Sequence, residues 1–235
     1  MPALQSESLV QLLANLHAER VATWRPEDLQ VNIDQRQLLV DTVDRGAFIK
    51  VGDRVDSFSV PSVDGKVIEL DGLLTNGPAV LIFFRFAGCP ACNIALPYYQ
   101  RQLAPRLDEL GASLLALSPQ VPDRLIEIRH RHALQFPIAS DLGNELGRRF
   151  GILYTYDEAS KRAALSRGST IGDVTGTGTW ELPMPTVIVI DRNRVARFVD
   201  VSPDWLVRTE AEPIVQAVRA AQGISTNAPQ RTEAA

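Results

Sequence analysis

The chain has 235 residues, 45% of them hydrophobic and 22% charged, enough to bury a substantial core and too few for two independent enzyme domains. Its 24 Lys and Arg stand well mixed against 28 Asp and Glu, which argues against the basic face that tracks a phosphate backbone, so no nucleic-acid partner is expected. The longest apolar run, Ala79 to Phe84, is far short of the roughly 20 residues of a membrane-spanning helix; no membrane partner is expected, and with no secretory leader visible the expected location is cytoplasmic.

In chain order, Leu9, Leu12, Leu13 and Leu16 share one helical face, and Ser8 with Gln11 fits a capping box. Pro26 suits a first helical turn, Asp34 to Arg45 reads as a further helix, and Gly46 is its stop. Residues 1–48 are therefore expected to form a helical extension, either a flap over the main domain or a homodimer contact. From Lys50 the texture changes. Val55 to Val60 and Val67 to Leu70 flank the hairpin signal Asp64-Gly65, and Ala79 to Phe86 reads as a strand covered on both faces. A helical stretch, Cys89 to Leu110, is interrupted by Pro97 and Pro105 and stopped by Gly111.

Strands at Ser113 to Leu117 and Phe136 to Ala139 alternate with helices at Pro122 to Leu134 and Asn144 to Phe150. Thr186 to Ile190 and Val195 to Val201 form a strand pair around Asp191-Arg192-Asn193, and Glu212 to Gln222 is a closing helix. Crossovers together with a late hairpin describe an α/β fold of three layers with a mixed central sheet. The main domain spans 49–222, with an insertion at 154–181. That insertion holds a polar helix, Asp157 to Arg167, and a glycine-rich stretch, Gly172 to Gly178, expected to be a flexible loop. Residues 223–235 are polar, without apolar periodicity, and are expected to be a disordered tail.

The two cysteines stand as Cys89-Pro90-Ala91-Cys92. With a strand ending near Phe86 and a helix opening at Cys89, that sulfur sits at the positive end of the helix dipole, where a thiolate is stabilised. Cys92 lies one turn on, within reach of Cys89. The first sulfur is thus read as the exposed nucleophile and the second as its resolver. Two inert buried thiols are the bland alternative. A structural zinc site needs four ligands; there is no second CxxC, and His130 and His132 diverge on a helix. Neither metal nor cofactor is expected.

The strand-CxxC-helix unit with Pro97, together with Met184-Pro185-Thr186 before an apolar strand, resembles the thioredoxin superfamily. Over Val51 to about Ala221 the chain resembles more specifically the peroxiredoxin-like branch of the alkyl hydroperoxide reductase C / thiol-specific antioxidant (AhpC/TSA) family. The segments that carry this are Val51-Gly52-Asp53, Arg85 to Asn93, Ala116 to Gln120, Phe136 to Asp141 and Asp204 to Pro213. The resemblance implies a thioredoxin-like fold, a peroxidatic Cys89 headed by Cys89-Pro90, and a cis Pro185 loop whose exposed backbone and Thr186 face the dithiol and receive an extended partner.

Three positions depart from the family pattern. Phe86 stands where ordinary peroxiredoxins carry Thr or Ser, Pro185 where they carry an arginine, and Gly88 where this branch often has a tryptophan. A thiol lowered from about pH 8.5 to about 6.5 gains about 25-fold in thiolate at neutral pH but loses about 10-fold in nucleophilicity, so acidification alone is a small advantage. Donors for the leaving oxygen must supply the rest. Arg85 is the nearest candidate, against a reading as a solvent-facing charge or a carboxylate partner, and backbone N–H groups at Gly88 to Cys92 could contribute. Tyr154, Tyr156 and Trp180 could shape a cleft or simply pin the insertion.

The reading is a thiol-dependent enzyme that reduces peroxides through Cys89 and Cys92. A thioredoxin-type or low-molecular-weight thiol restores it. Thiol-disulfide exchange on disulfide substrates is the alternative, and a noncatalytic redox sensor or interaction module is the third.

Overall fold

The computed structural model describes residues 7–224. Two helices come first: α1 (Leu9–Thr23), capped by the Ser8 hydroxyl accepting from the Gln11 N–H, and α2 (Pro26–Thr42), with proline in its first turn. The expected helix from Asp34 is the second half of α2, which runs unbroken from Pro26; the terminal stop lies before Gly46, which belongs to a separate short turn. The rest follows as β1 (Ser59–Pro61), β2 (Val67–Glu69), α3 (Leu70–Leu73), β3 (Ala79–Phe83), α4 (Pro90–Gln102) and α5 (Ala104–Glu109). Next come β4 (Ser113–Ser118), α6 (Pro122–His132), β5 (Ile138–Ser140), α7 (Glu145–Arg149), β6 (Leu153–Thr155), α8 (Glu158–Ser166) and α9 (Ile171–Thr175). β7 (Glu181–Pro183), β8 (Thr186–Ile190), β9 (Ala196–Val201) and α10 (Ala211–Ala221) complete the order.

The central sheet has strand order β5-β4-β3-β8-β9. β3, β4 and β5 are parallel, joined by helical crossovers, whereas β8 pairs antiparallel with both β3 and β9. The result is the mixed sheet of a thioredoxin-like α/β fold. Every residue of β3 and β8 is buried, because both faces are covered and the alternation of side chains feeds two cores at once. Val80, Ile82 and Val187 point into one core with Leu96, Leu107, Ile128, Ile214 and Val218 of α4, α5, α6 and α10. Leu81, Phe83 and Ile188 point into the other, under the β1–β2 hairpin, α3 and α7.

Leu9 and Leu13 of α1 are buried in the first of these cores, and α1 packs on α4 while α2 packs on α8. The two leading helices therefore lie against the main domain as a cover. The insertion is more ordered than a loop. Its flanks pair as the antiparallel ribbon β6–β7, and the glycine-rich stretch contains α9, capped by Thr170 and ended by Gly176 at φ 76°. The tail expected from residue 223 falls almost wholly at 225–235, outside the described residues. Among the described residues no helix is long and apolar enough to cross a membrane.

Candidate active site

Two local features set up the site. β3 ends at Phe83, three residues earlier than expected, so Phe84 to Gly88 is free to turn; Cys89 then takes the N-cap position of α4, with Pro90 opening the helix. The turn is held by side chains of neighbouring elements. The Ala87 N–H donates to Gln120 Oε1 at 2.7 Å, the Ser118 hydroxyl donates to the Arg85 carbonyl at 3.0 Å, and the Asn93 amide donates to the Ala87 and Cys89 carbonyls at 2.7 and 2.9 Å. Asn93 Oδ1 in turn accepts from Arg131 at 2.9 Å and lies 2.7 Å from His132 Nε2, both on α6. These bonds fix the direction in which the head of α4 points.

Both sulfurs are free thiols with no exposed surface. The expectation of an exposed nucleophile is corrected: α1, α2 and the segment around Trp205 close over the site. The environment is nevertheless not apolar. The Arg85 guanidinium lies 3.9 Å from the Cys89 sulfur and that of Arg208 lies 3.9 Å from Cys92. Arg85 is not solvent-facing, and among the described residues no carboxylate pairs with it. It is buried, donates to the Tyr156 hydroxyl at 2.6 Å, and sits 4.4 Å above the Trp205 ring.

These charges divide the two thiols. Burial pushes Cys89 up, but the Cys92 thiol directed at its sulfur and the Arg85 and Arg208 guanidiniums outweigh it, and its pKa falls well below the ordinary thiol value. For Cys92, burial, the bond to Cys89 and the Cys89 charge all act upward and hold its pKa well above that value. The two thiols are thus displaced in opposite directions, Cys89 towards the ionised form and Cys92 towards the protonated one, the order that a nucleophile and its resolver require. Burial likewise raises the pKa of Tyr154 and Tyr156, opposed by Arg85, so both phenols stay protonated beside the thiolate.

The remaining expected site residues fall in different places. Gly88 and Pro90 are exposed at the turn, and a Cβ on Gly88 would meet the Phe86 ring at 3.3 Å. Pro185 and Thr186 are buried, and with Arg208, Tyr99 and Ser202 they line a crevice of about 10 Å³ that neither cysteine borders. The peptide before Pro185 is trans, and the backbone expected to receive a partner strand is already occupied. Met184 N–H bonds to Ile152, the Thr186 hydroxyl donates to the Met184 carbonyl at 2.9 Å, and the Pro185 carbonyl accepts from Ser202. The proline precedes a strand whose hydrogen bonds are satisfied within the chain.

Sequence reasoning missed Arg20, Arg208 and Trp205 as members of the site. Arg20, only 3% exposed, occupies the next position on the Leu9, Leu13, Leu16 stripe of α1; a basic residue on an apolar face was the available signal. Arg208 and Trp205 lie within the segment Asp204 to Pro213 that carried part of the family resemblance. Arg20, Arg36 and Arg85 all approach the Trp205 ring, at 5.7, 5.8 and 4.4 Å, while the indole N–H donates to Gln35 Oε1 at 3.1 Å. Tyr154 stacks on Tyr156 beside Arg85, and Trp180 lies tilted against Tyr156 with ring centroids 5.8 Å apart. No cluster of ligating side chains that could hold a metal occurs among the described residues.

The sequence profile of the AhpC/TSA family matches residues 51–199. Thiol-disulfide oxidoreductase ResA of Bacillus thuringiensis subsp. konkukian is 29% identical over 106 residues, 45% of this chain and 60% of its own. Peroxiredoxin Bcp of Escherichia coli is 29% identical over 108 residues, 44% of this chain and 65% of its own. The chain thus spans less than two thirds of the length of either. Among solved structures, peroxidoxin BcpB from Mycobacterium tuberculosis superposes with a TM-score of 0.57 at 23% identity, over 73% of this chain and 97% of that one. A peroxiredoxin-like protein from Aquifex aeolicus gives 0.58 at 17% identity, over 74% and 88%. These two share the fold.

Proposed function

The chain belongs to the AhpC/TSA family, and from that premise we propose that it is a thiol peroxidase in which Cys89 attacks a small hydroperoxide and Cys92 closes the disulfide. The observation that carries this reading is the placement of two buried guanidiniums, Arg85 at 3.9 Å from the Cys89 sulfur and Arg208 at 3.9 Å from that of Cys92, which favours ionisation at Cys89. The Cys89 thiolate attacks the terminal peroxide oxygen; the S–O bond forms, the O–O bond breaks, and the alkoxide or hydroxide leaves with the electron pair and takes a proton. Sulfur is oxidised to sulfenic acid by two electrons. The Cys92 thiol then attacks that sulfur, and water leaves as the disulfide forms.

Arg85 replaces the donor that Phe86 does not supply. Its guanidinium is fixed by Tyr156 and by the Trp205 face, and so waits where negative charge develops on the departing oxygen without having to reorganise. Burial favours a small oxidant over a protein disulfide, because the covering helices leave no surface on which a polypeptide could present its bond to Cys89. The same burial favours a low-molecular-weight thiol as the reductant over a thioredoxin-type donor. Exchange with small disulfides is the second reading; the spacing of one helical turn and the similarity to a thiol-disulfide oxidoreductase favour it.

Hydrogen peroxide added to the reduced protein, followed by tryptophan fluorescence in stopped flow and by mass spectrometry, tests the proposal. The expected product has lost two hydrogens across Cys89 and Cys92. A pair that stays reduced in excess peroxide refutes it, and oxidation by small disulfides alone transfers the case to the exchanger.

A further inference from the structure

Between α1, α2, α8 and the dithiol turn lies a cavity of about 160 Å³ whose walls include Arg20, Asn32, Gln35, Arg85, Tyr156 and Trp205; neither cysteine borders it, and Arg85 links its wall to the Cys89 sulfur, 3.9 Å from the guanidinium. This is about the room that five waters occupy in the liquid, enough for a short branched acid and too little for a peptide loop. Its polar lining is short of acceptors. Arg20 Nη1, Arg85 Nε and Gln35 Nε2 are buried donors with no partner, a condition that native structures rarely tolerate without a ligand or water. Asn32 Oδ1 is the one buried acceptor of the wall that is likewise unbonded.

The charges are equally unbalanced. Arg36 meets Asp204 at 3.1 Å and Arg167 meets Asp28 at 3.6 Å, but no carboxylate pairs with Arg20 or Arg85 among the described residues. Arg20 is held instead between two indoles, 4.9 Å from Trp24 and 5.7 Å from Trp205. Arg85 lies 3.9 Å from the Cys89 sulfur and the buried Arg208 3.9 Å from that of Cys92, so a single negative charge on the dithiol leaves guanidinium charge unmatched; Arg20 has no carboxylate partner among the described residues, and a buried charge without a counterpart calls for an anion.

We propose that this cavity receives a small carboxylate-bearing oxidant, its carboxylate taken by Arg20 and its reacting bond turned to the Arg85 side of the wall, from which a side-chain movement of Arg85 admits it to the Cys89 sulfur. The inference rests on the reading of Cys89 as the nucleophile and adds the class of substrate. The helical extension then supplies the specificity element, a guanidinium that the α/β domain does not carry. Arg20 binds and orients; Arg85, nearer the sulfur, remains free for the oxygen that leaves. The carboxylate could belong to a hydroperoxide or to a disulfide, and the two are separable.

The test compares 3-hydroperoxy-3-methylbutanoate with its neutral amide, and 3,3′-dithiodipropionate with its diamide, as oxidants of the reduced 235-residue chain. A charge-assisted contact to a buried guanidinium is expected to favour the acid by about tenfold or more in the second-order rate. In Arg20→Met that acid-to-amide ratio is expected to fall to near one, while Arg20→Lys retains part of it. Because the ratio is taken within each variant, a general loss of reactivity does not mimic the result. A preference confined to the hydroperoxide pair assigns a peroxide substrate, and one confined to the disulfide pair assigns a disulfide. Equal rates for acid and amide, or a ratio that survives Arg20→Met, overturn the proposal. If hydrogen peroxide and every other oxidant leave Cys89 reduced, the redox reading itself fails, and the unreactive 3-methylbutanoate then decides the cavity. Saturable quenching of tryptophan fluorescence that Arg20→Met abolishes upholds a carboxylate site; no quenching overturns it.

Discussion

At the scale of single residues, the site depends on how two guanidiniums apportion one negative charge between two sulfurs. Cys89→Ser is expected to abolish turnover, whereas Cys92→Ser leaves Cys89 to accumulate as sulfenic acid or mixed disulfide, which dimedone labelling and mass spectrometry distinguish. Since the Cys89 pKa lies well below the ordinary thiol value, iodoacetamide should modify Cys89 at an undiminished rate as pH falls below about 8.5, where an ordinary thiol already slows. The sign for stability follows: the ionised form contributes above the unfolded-state pKa, and that contribution disappears as pH falls through the lower folded value. Arg85→Met removes both a charge beside the sulfur and the donor for the leaving oxygen. Its peroxidase rate is expected to drop by about a hundredfold, with the alkylation midpoint displaced to higher pH.

At the scale of elements, the glycine at the end of α7 tests how the leading segment is docked. Gly151 has φ 68°, and a Cβ there would stand 2.0 Å from the Ala47 carbonyl oxygen. Gly151→Ala is expected to cost at least about 2 kcal/mol, a fall in Tm of about 4–8 °C by calorimetry. What could be read from the chain beforehand followed the same division between local and distant causes. The fold class, the hairpin at Asp64-Gly65 and the CxxC at a strand-to-helix junction were legible because turn residues and apolar periodicity act within a few positions. The unbroken α2 was not, since only Gln35 and Leu39 of that helix are buried and its apolar pattern is weak. Nor was the β6–β7 ribbon: two three-residue strands pair across the whole insertion, and neither carries a signal alone. The burial of Cys89 was equally hidden, because its cover comes from α1 and α2, tens of positions earlier in the chain, and from the segment around Trp205, more than a hundred positions later.

At the scale of the whole molecule, the cover decides what reaches the sulfur. α1 is anchored by Leu9 and Leu13 in the core, by Glu210, which accepts from the Ser8 hydroxyl and the Val10 N–H, and by the ion pair of Glu7 with Arg101. Leu13→Ala is expected to cost about 2–5 kcal/mol of packing and to loosen α1 from α4. Modification of Cys89 by a bulky maleimide should accelerate more than modification by iodoacetamide; equal acceleration would show that α1 does not gate the site.

The stapling of the α4 head has its own outcome. With the Asn93 amide clasping the carbonyls of Ala87 and Cys89 and the Cys92 thiol bonded to the Cys89 sulfur, bond closure is expected to leave the head of the helix in place. Spent and ready forms are then expected to show their surroundings the same outer face, leaving a bystander protein no shape by which to tell one from the other.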